Sequence, residues 1–336
     1  MLTPELLEAV KQYTANLTRD IHFVVQTGEH EKRAELLDFL QKFASASDRL
    51  SVSEADAGLR GGLSFKLVAD GVDTGIAFSG IPGGHEFSSM VLAVLNAGGT
   101  PVKLDDALKS IIERVGDPLK FETVVSLSCH NCPDVVQTLN QFATLNANID
   151  AEMIDGGEYP AVVDERNIQG VPAVFLNGEP FANGKIDTAT LIEKLLAKYP
   201  DIAKGGASSE SSLPLQDVVV VGGGPGGVAA AIYAARKGFA VTVVAERFGG
   251  QVKDTMGIEN LVSIPQTTGP DVVSGMFDHI KDYDITVKEH LRVESIEQGD
   301  IKTLTLSSGE VIRARSIIIA TGANWRELGI PGEKEN

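Results

Sequence analysis

Cysteine is nearly absent. The 336 residues hold two, Cys129 and Cys132, so no multi-bridge disulfide scaffold can be built from them. A closed zinc site needs four ligands; with no second Cys-x-x-Cys, and with His30, His85 and His130 scattered along the chain, no metal site is expected. Basic residues are also short: 29 Lys and Arg against 46 Asp and Glu leave a formal charge of −17 at pH 7. A surface that negative, with no basic patch, argues against nucleic acid and anionic membranes as partners. Long apolar runs are missing too, each broken by glycine or charge short of a membrane span. The opening Met1-Leu2-Thr3-Pro4-Glu5-Leu6-Leu7-Glu8 has neither the basic nor the apolar region of a signal peptide. The expected compartment is therefore the reducing cytoplasm, where a close Cys pair is more often catalytic or metal-binding than structural. What is present, 43% hydrophobic and 22% charged residues, suits a soluble globular chain of two or three domains.

The two cysteines lie in Ser126-Leu127-Ser128-Cys129-His130-Asn131-Cys132-Pro133-Asp134. Residues 121–127 before them are apolar and β-branched enough for a buried strand, and Val135, Val136, Leu139, Phe142 and Leu145 after them recur at helical spacing. The pair thus sits where a strand hands over to a helix. Cys129 is expected near the first turn, where unpaired N–H groups and the helix dipole favour a thiolate. That is the setting of a dithiol redox site; a merely structural pair is the competing reading.

Residues 1–104 predict helix 4–17, strand 21–26, helix 31–44, strands 50–53, 63–68 and 76–79, and helix 86–95. Residues 105–200 repeat the order: helix 105–115, strand 121–127, the Cys-bearing helix, strand 149–154, a short helix about 162–167, strand 173–176, a short strand near Pro180 and helix 188–198. Such a repeat marks a duplicated domain. In the first copy, the turn matching the cysteines reads Thr27-Gly28-Glu29-His30, which makes that copy scaffold or half of a shared docking surface. In the second copy, Gly170-Val171-Pro172-Ala173-Val174-Phe175 sets a proline directly before a strand. Taken alone, Pro172 is a strand-entry proline. With a Cys-x-x-Cys helix upstream, a cis Val171–Pro172 bond is favoured, turning the backbone toward the cysteines and leaving the Val171 N–H for a partner peptide.

These residues resemble the thioredoxin and glutaredoxin fold. The doubled arrangement, with thiols in the second copy only, is similar to the N-terminal domain of the flavoprotein (F) subunit of alkyl hydroperoxide reductase. The resemblance rests on Ser128 to Asp134, Gly170 to Phe175 and Gly84-His85-Glu86-Phe87. It implies that Glu86 is the buried acid moving protons at the dithiol. Without it, Glu86 reads as complementing the dipole of the helix it opens.

Residues 201–215, rich in Gly and Ser, read as a flexible linker that would let the dithiol domain swing between redox partners. From Asp217 the pattern is strand 218–221, then Gly222-Gly223-Gly224-Pro225-Gly226-Gly227, helix 228–237, and strand 240–245 ending at Glu246. Glycines between strand and helix, with an acid at the tip of the next strand, form a dinucleotide-binding fingerprint. Gly222 allows the tight turn, Gly224 lets the pyrophosphate approach a helix N-terminus, Gly227 lets helix and strand pack, and Glu246 would accept the ribose hydroxyls.

The fingerprint alone does not distinguish FAD from NAD. Phe248-Gly249-Gly250-Gln251, Ile258-Glu259-Asn260, Ala320-Thr321-Gly322-Ala323 and Pro331-Gly332-Glu333 resemble the FAD domain of the thioredoxin reductase family. The resemblance implies FAD on Gly222, Gly224, Pro225, Gly226, Gly227, Glu246, Gly250, Gln251 and Asn260, closed over by Thr321 and Gly322. His279 and His290 receive no chemistry, and Trp325 reads as packing. The expected fold is α/β: two tandem thioredoxin-like domains, 1–104 and 105–200, and, in 216–336, the first part of a doubly wound, Rossmann-like FAD domain.

The resemblance stops early. Family members continue into a second, flavin-proximal Cys-x-x-Cys, an NADH fingerprint and a segment completing the FAD domain. The chain is therefore expected to be an N-terminal portion that does not itself take electrons from NADH. In the intact, homodimeric enzyme, electrons would run from NADH to FAD, through Cys129 and Cys132, to a peroxiredoxin that reduces alkyl hydroperoxides. The alternatives are a glutaredoxin-like dithiol carrier and a flavin-binding docking protein.

Overall fold

The computed structural model describes residues 3–184, 186–200, 202 and 213–323. Two compact units divide the chain: one built on Met1–Lys103 and Ile112–Ile186, the other on Leu104–Ile111 and Asp187–Leu328.

In chain order the first two hundred residues form α1 (Pro4–Thr14), β1 (Ile21–Gln26), α2 (Arg33–Ala44), β2 (Leu50–Ala55), β3 (Ser64–Ala69), β4 (Val72–Ser79), a 3-10 turn (Gly84–Glu86) and α3 (Phe87–Ala97). They continue with α4 (Asp106–Glu113), β5 (Leu119–Val125), α5 (Cys132–Leu145), β6 (Ile149–Asp155), α6 (Pro160–Glu165), β7 (Ala173–Leu176), β8 (Glu179–Asn183) and α7 (Thr188–Lys198). Eight strands make one sheet in the order β2-β1-β3-β4-β6-β5-β7-β8. The repeat read from the sequence is visible in its pairing. β1 is parallel to β2 and antiparallel to β3, and β5 is parallel to β6 and antiparallel to β7. The copies are not separate cores, because β4 pairs in parallel with β6, setting Ile76 beside Ala151 and Phe78 beside Met153.

The first copy is held by aromatic side chains. Phe23 on β1 meets Phe43 of α2 edge-on with ring centroids 5.8 Å apart, and Phe65 stacks on Phe78 at 5.3 Å. All four rings are fully buried, and truncating such a ring to alanine typically costs about 3–5 kcal/mol. In the second copy the central strand β5 is buried along nearly its whole length, since it has neighbours on both edges and helices to cover it. That burial suits its apolar residues Leu119, Phe121, Val124 and Val125, and it requires partners for the buried Glu122.

The second unit contains β9 (Gln216–Val221), α8 (Pro225–Ala235), β10 (Val241–Ala245), a 3-10 turn (Gly250–Asp254), α9 (Gly269–Lys281), β11 (Ile285–Glu289), β12 (Val293–Glu297), β13 (Lys302–Leu306) and β14 (Val311–Ile319). Its sheet runs β11-β10-β9-β14-β13-β12. The parallel members β11, β10, β9 and β14 have the strand order of a doubly wound fold, which reverses between β9 and β14. From the sequence no element is expected between Glu246 and an apolar strand over 316–320. There the structure has α9, β11 and an antiparallel β12-β13 pair, whose short polar strands give weak period-two signals. Most of the expected linker, together with Trp325 and Pro331-Gly332-Glu333, lies outside the described residues.

Candidate active site

Cys129 and Cys132 form a disulfide with their Cα atoms 5.5 Å apart. Helix α5 begins at Cys132 itself, so Cys129 stands three residues ahead of it, in a turn where its N–H donates to the Ser126 carbonyl at 2.9 Å. Cys129 is half-buried and Cys132 fully buried, which makes Cys129 the sulfur open to exchange. The Asn131 side chain does not cap the helix. The backbone donors of the first turn therefore remain near the sulfurs, where they favour a thiolate. Across the site the Val171–Pro172 bond is cis, and the Val171 carbonyl oxygen lies 3.8 Å from Cys129 Sγ.

The wall beside this turn comes from the copy without cysteines. His85 N–H donates to the Leu127 carbonyl at 3.1 Å, and Gly84, at φ 54°, lies so close that a Cβ there would stand 2.4 Å from the same oxygen. Gln137 of α5 donates to Ser88 Oγ at 3.1 Å, tying the two helices together. This packing carries Glu86 into the interior, where it has no exposed surface and neither carboxylate oxygen has a hydrogen-bond partner. Burial pushes its pKa up to about 7; the nearby Ser89 side chain works against the rise, and the negative charges of Asp134 and Asp155 add to it. Glu86 is the residue directly before α3 and makes no side-chain capping bond to it.

Two features here were not legible in the sequence. His85 and His130, read as scattered, have ring centroids 4.1 Å apart. Glu122 and Glu152, buried on the sheet, are paired to arginines: Arg60 of the first copy reaches both, and Arg166 donates to Glu122 at 2.8 Å. Ser79 Oγ completes the cluster with a 2.5 Å bond to Glu152. Glu122 and Glu152 on their strands give no sign in the sequence of a partner 62 or 92 residues away. Among the described residues no group of three or more His, Cys, Asp or Glu could hold a metal ion.

In the second unit the fingerprint glycines sit where the strand order reverses. Gly222 follows β9 at φ 118°, and a Cβ there would lie 2.2 Å from the Ala320 carbonyl oxygen. A Cβ on Gly227 would lie 1.9 Å from the Gly222 carbonyl oxygen, so both positions require glycine for packing. Gly224 and Gly226 have open space in that direction. Helix α8 starts at Pro225, with Gly224 as its cap residue and no side chain over its free N–H groups. An opening with bare donors at a helix start fits a pyrophosphate. Gly250, at φ 57°, approaches Gly224 closely enough that its Cβ would lie 3.4 Å from the Gly224 Cα. Gln251 donates to the Ala323 carbonyl, bringing the loop after β14, with Thr321 and Gly322, onto the loop that carries Gly250. Asn260 is exposed between the Ile258–Thr267 and Leu261–Ile264 bridges. Glu246 follows β10 and is gripped by Arg292 through Nε at 3.0 Å and Nη2 at 3.2 Å, a partner 46 residues away that the sequence did not reveal.

Fold and site define a thioredoxin-like disulfide module followed by a dinucleotide-binding unit of the disulfide oxidoreductase kind. Residues 120–197 match the thioredoxin domain family, and residues 216–336 match the pyridine nucleotide-disulphide oxidoreductase family. The whole chain is 41% identical to the F subunit of alkyl hydroperoxide reductase of Pseudomonas aeruginosa and 43% identical to a Bacillus subtilis protein called NADH dehydrogenase, covering 64% of each. The crystal structure of the NTD_N/C domain of alkylhydroperoxide reductase AhpF from Enterococcus faecalis is matched over its full length and 58% of this chain, at 32% identity and a TM-score of 0.55. The chain belongs to the family of alkyl hydroperoxide reductase F subunits. It spans 64% of the length of the curated relatives it matches. Among the described residues, no helix is long and apolar enough to cross a membrane.

Proposed function

We propose that this chain carries the peroxiredoxin-reducing end of an FAD-dependent NADH:disulfide oxidoreductase, with Cys129 and Cys132 as the dithiol that hands electrons to the partner. The observation that carries the reading is the Cys129–Cys132 disulfide at the head of α5, facing the cis Val171–Pro172 bond and walled by the buried Glu86. The partially exposed Cys129 attacks a disulfide of the peroxiredoxin as a thiolate, forming a mixed disulfide and expelling one partner thiolate. Cys132 then attacks Cys129 Sγ, re-forming the internal bond and releasing the second partner thiolate, so two electrons leave the pair. Glu86 is the proposed store for the proton that Cys132 gives up, since a pKa of about 7 lets it change protonation at neutral pH. Pro172 holds the backbone that faces the incoming peptide.

The cradle of the second unit supports FAD as the bound dinucleotide. Gly224, Pro225 and Gly226 would admit the pyrophosphate to the start of α8, while Gly222 and Gly227 keep strand and helix close. Glu246 would hold the ribose hydroxyls, with Gly250, Gln251, Asn260, Thr321 and Gly322 lining the dinucleotide. When bound, the flavin supplies two-electron transfer between NADH and a disulfide. A pair of cysteines that must be reduced to work suits the cytoplasm, and the family resemblance supports a homodimeric intact enzyme.

The test is a stepwise assay on the purified chain. After reduction by a small dithiol and removal of the donor, the chain should convert a peroxiredoxin disulfide to thiols in a 1:1 ratio, and Cys129→Ser should abolish this. Failure of the reduced wild-type chain to reduce any peroxiredoxin disulfide would sink the reading.

A further inference from the structure

The copy that lost its cysteines does more than extend the sheet, because it brings a second imidazole to the dithiol. The His85 and His130 rings are tilted by 53° with centroids 4.1 Å apart, and both residues are exposed at the mouth of the site. His130 lies between the two cysteines in sequence and directly follows Cys129. His85 is held from behind: its N–H bonds the Leu127 carbonyl, Gly84 is pressed against the same oxygen, and Glu86 is locked in the interior. One imidazole is thus built on a braced segment and packs against another that sits on an exposed turn.

The geometry points to His85 as a positioning residue of the dithiol site: its ring holds the His130 ring in place, and the held imidazole stabilises the Cys129 thiolate. The inference rests on the proposed exchange chemistry for its use, though not for its measurement. When a donor dithiol reduces the pair, its first thiolate attacks Cys129 Sγ, the Cys129–Cys132 bond breaks and Cys132 leaves with the bonding electrons. The second donor thiolate then attacks the donor sulfur of that mixed disulfide, a donor disulfide forms, and Cys129 leaves as a thiolate. A neighbouring imidazole, which can carry a proton and positive charge, favours that leaving group and keeps it ionised for its own attack. Beside the site, Glu86 from the first copy feels the charges of Asp134 in the first turn of α5 and Asp155 at the end of β6. Glu86, Asp134 and Asp155 are acids, so among these side chains the imidazoles are the ones that favour the thiolate, together with the bare backbone donors of the first turn of α5.

The test is a titration of the Cys129 thiolate in the reduced full chain, by thiolate absorbance and by alkylation rate against pH. His85→Ala should raise the midpoint by about half a unit, roughly a threefold loss of thiolate below it. His85→Phe, which keeps a ring against His130, should titrate close to wild type. His130→Ala should raise the midpoint at least as far as His85→Ala, and the double variant should match His130→Ala alone. A wild-type midpoint in His85→Ala, or effects of the two alanines that add in the double variant, would overturn the inference. Since no peroxiredoxin takes part, failure of the proposed function leaves these titrations unchanged and is separately visible.

Discussion

Replacing Glu86 with glutamine asks whether the carboxyl is as costly to ionise as its burial indicates. Glu86 has no exposed surface and no hydrogen-bond partner, and its pKa stands at about 7 against an ordinary value of 4.5. In the unfolded chain it ionises near its ordinary value, so between pH 4.5 and 7 the native state holds a proton the unfolded state has released. Stability then falls as pH rises through that window. Below pH 4.5 both states are protonated and nothing is lost; above pH 7 the full difference is present, about 3 kcal/mol at 1.36 kcal/mol per pKa unit. Glu86→Gln keeps the shape of the neutral acid and has no proton to lose. The expected outcome is that urea unfolding of the oxidised chain at pH 5, 6, 7 and 8 shows the variant gaining on wild type from pH 5 to 7 and the gain levelling off towards pH 8. In parallel, the carboxyl carbon resonance lost in the variant should titrate in wild type near pH 7. Curves for the two proteins that stay parallel across the series, or a resonance that titrates near 4.5, would refute the claim that burial governs this group.

Cys132→Ser should accumulate a mixed disulfide between Cys129 and a peroxiredoxin, seen as a reducible band of summed mass on gels, while Cys129→Ser should not; the opposite pattern reverses the assigned roles. Arg60→Met removes the cation shared by Glu122 and Glu152 and should cost about 3 kcal/mol in urea unfolding, with much of the loss recovered when Glu152→Gln is added. The fingerprint glycines should divide by mechanism: Gly227→Ala, whose Cβ would stand 1.9 Å from the Gly222 carbonyl oxygen, should lower stability. Gly224→Ala, with nothing within 4 Å, should fold like wild type yet lose binding of added FAD, read from the flavin bands after gel filtration.

Local spacing carried much of this site. The strand into the cysteines, the helix after them, the glycines between β9 and α8 and the acid at the tip of β10 each depend on residues within a turn or two of one another, and local backbone preferences write such features directly into sequence. The doubled order of elements was legible for the same reason, and it reappears as two sets of strands with matching pairing. Element ends moved by a few residues: the helix expected over 4–17 stops at Thr14, and the helix after the cysteines begins at Cys132, with Cys129, expected near its first turn, three residues ahead of it. Ends depend on capping and packing as much as on periodicity.

By itself, the sequence determined a thioredoxin-like dithiol at a strand-to-helix junction, a silent copy of the same pattern before it and a dinucleotide fingerprint behind it. Tertiary structure alone decided what surrounds them. It fused the copies through β4 and β6, set His85 against His130, buried Glu86 without a partner, and chose Arg60 for Glu122 and Glu152 and Arg292 for Glu246. These are contacts between residues tens of positions apart. No periodicity links such residues; they meet because burying the faces of a shared sheet leaves the chain few ways to close, and the electrostatics of the site follow from that closure.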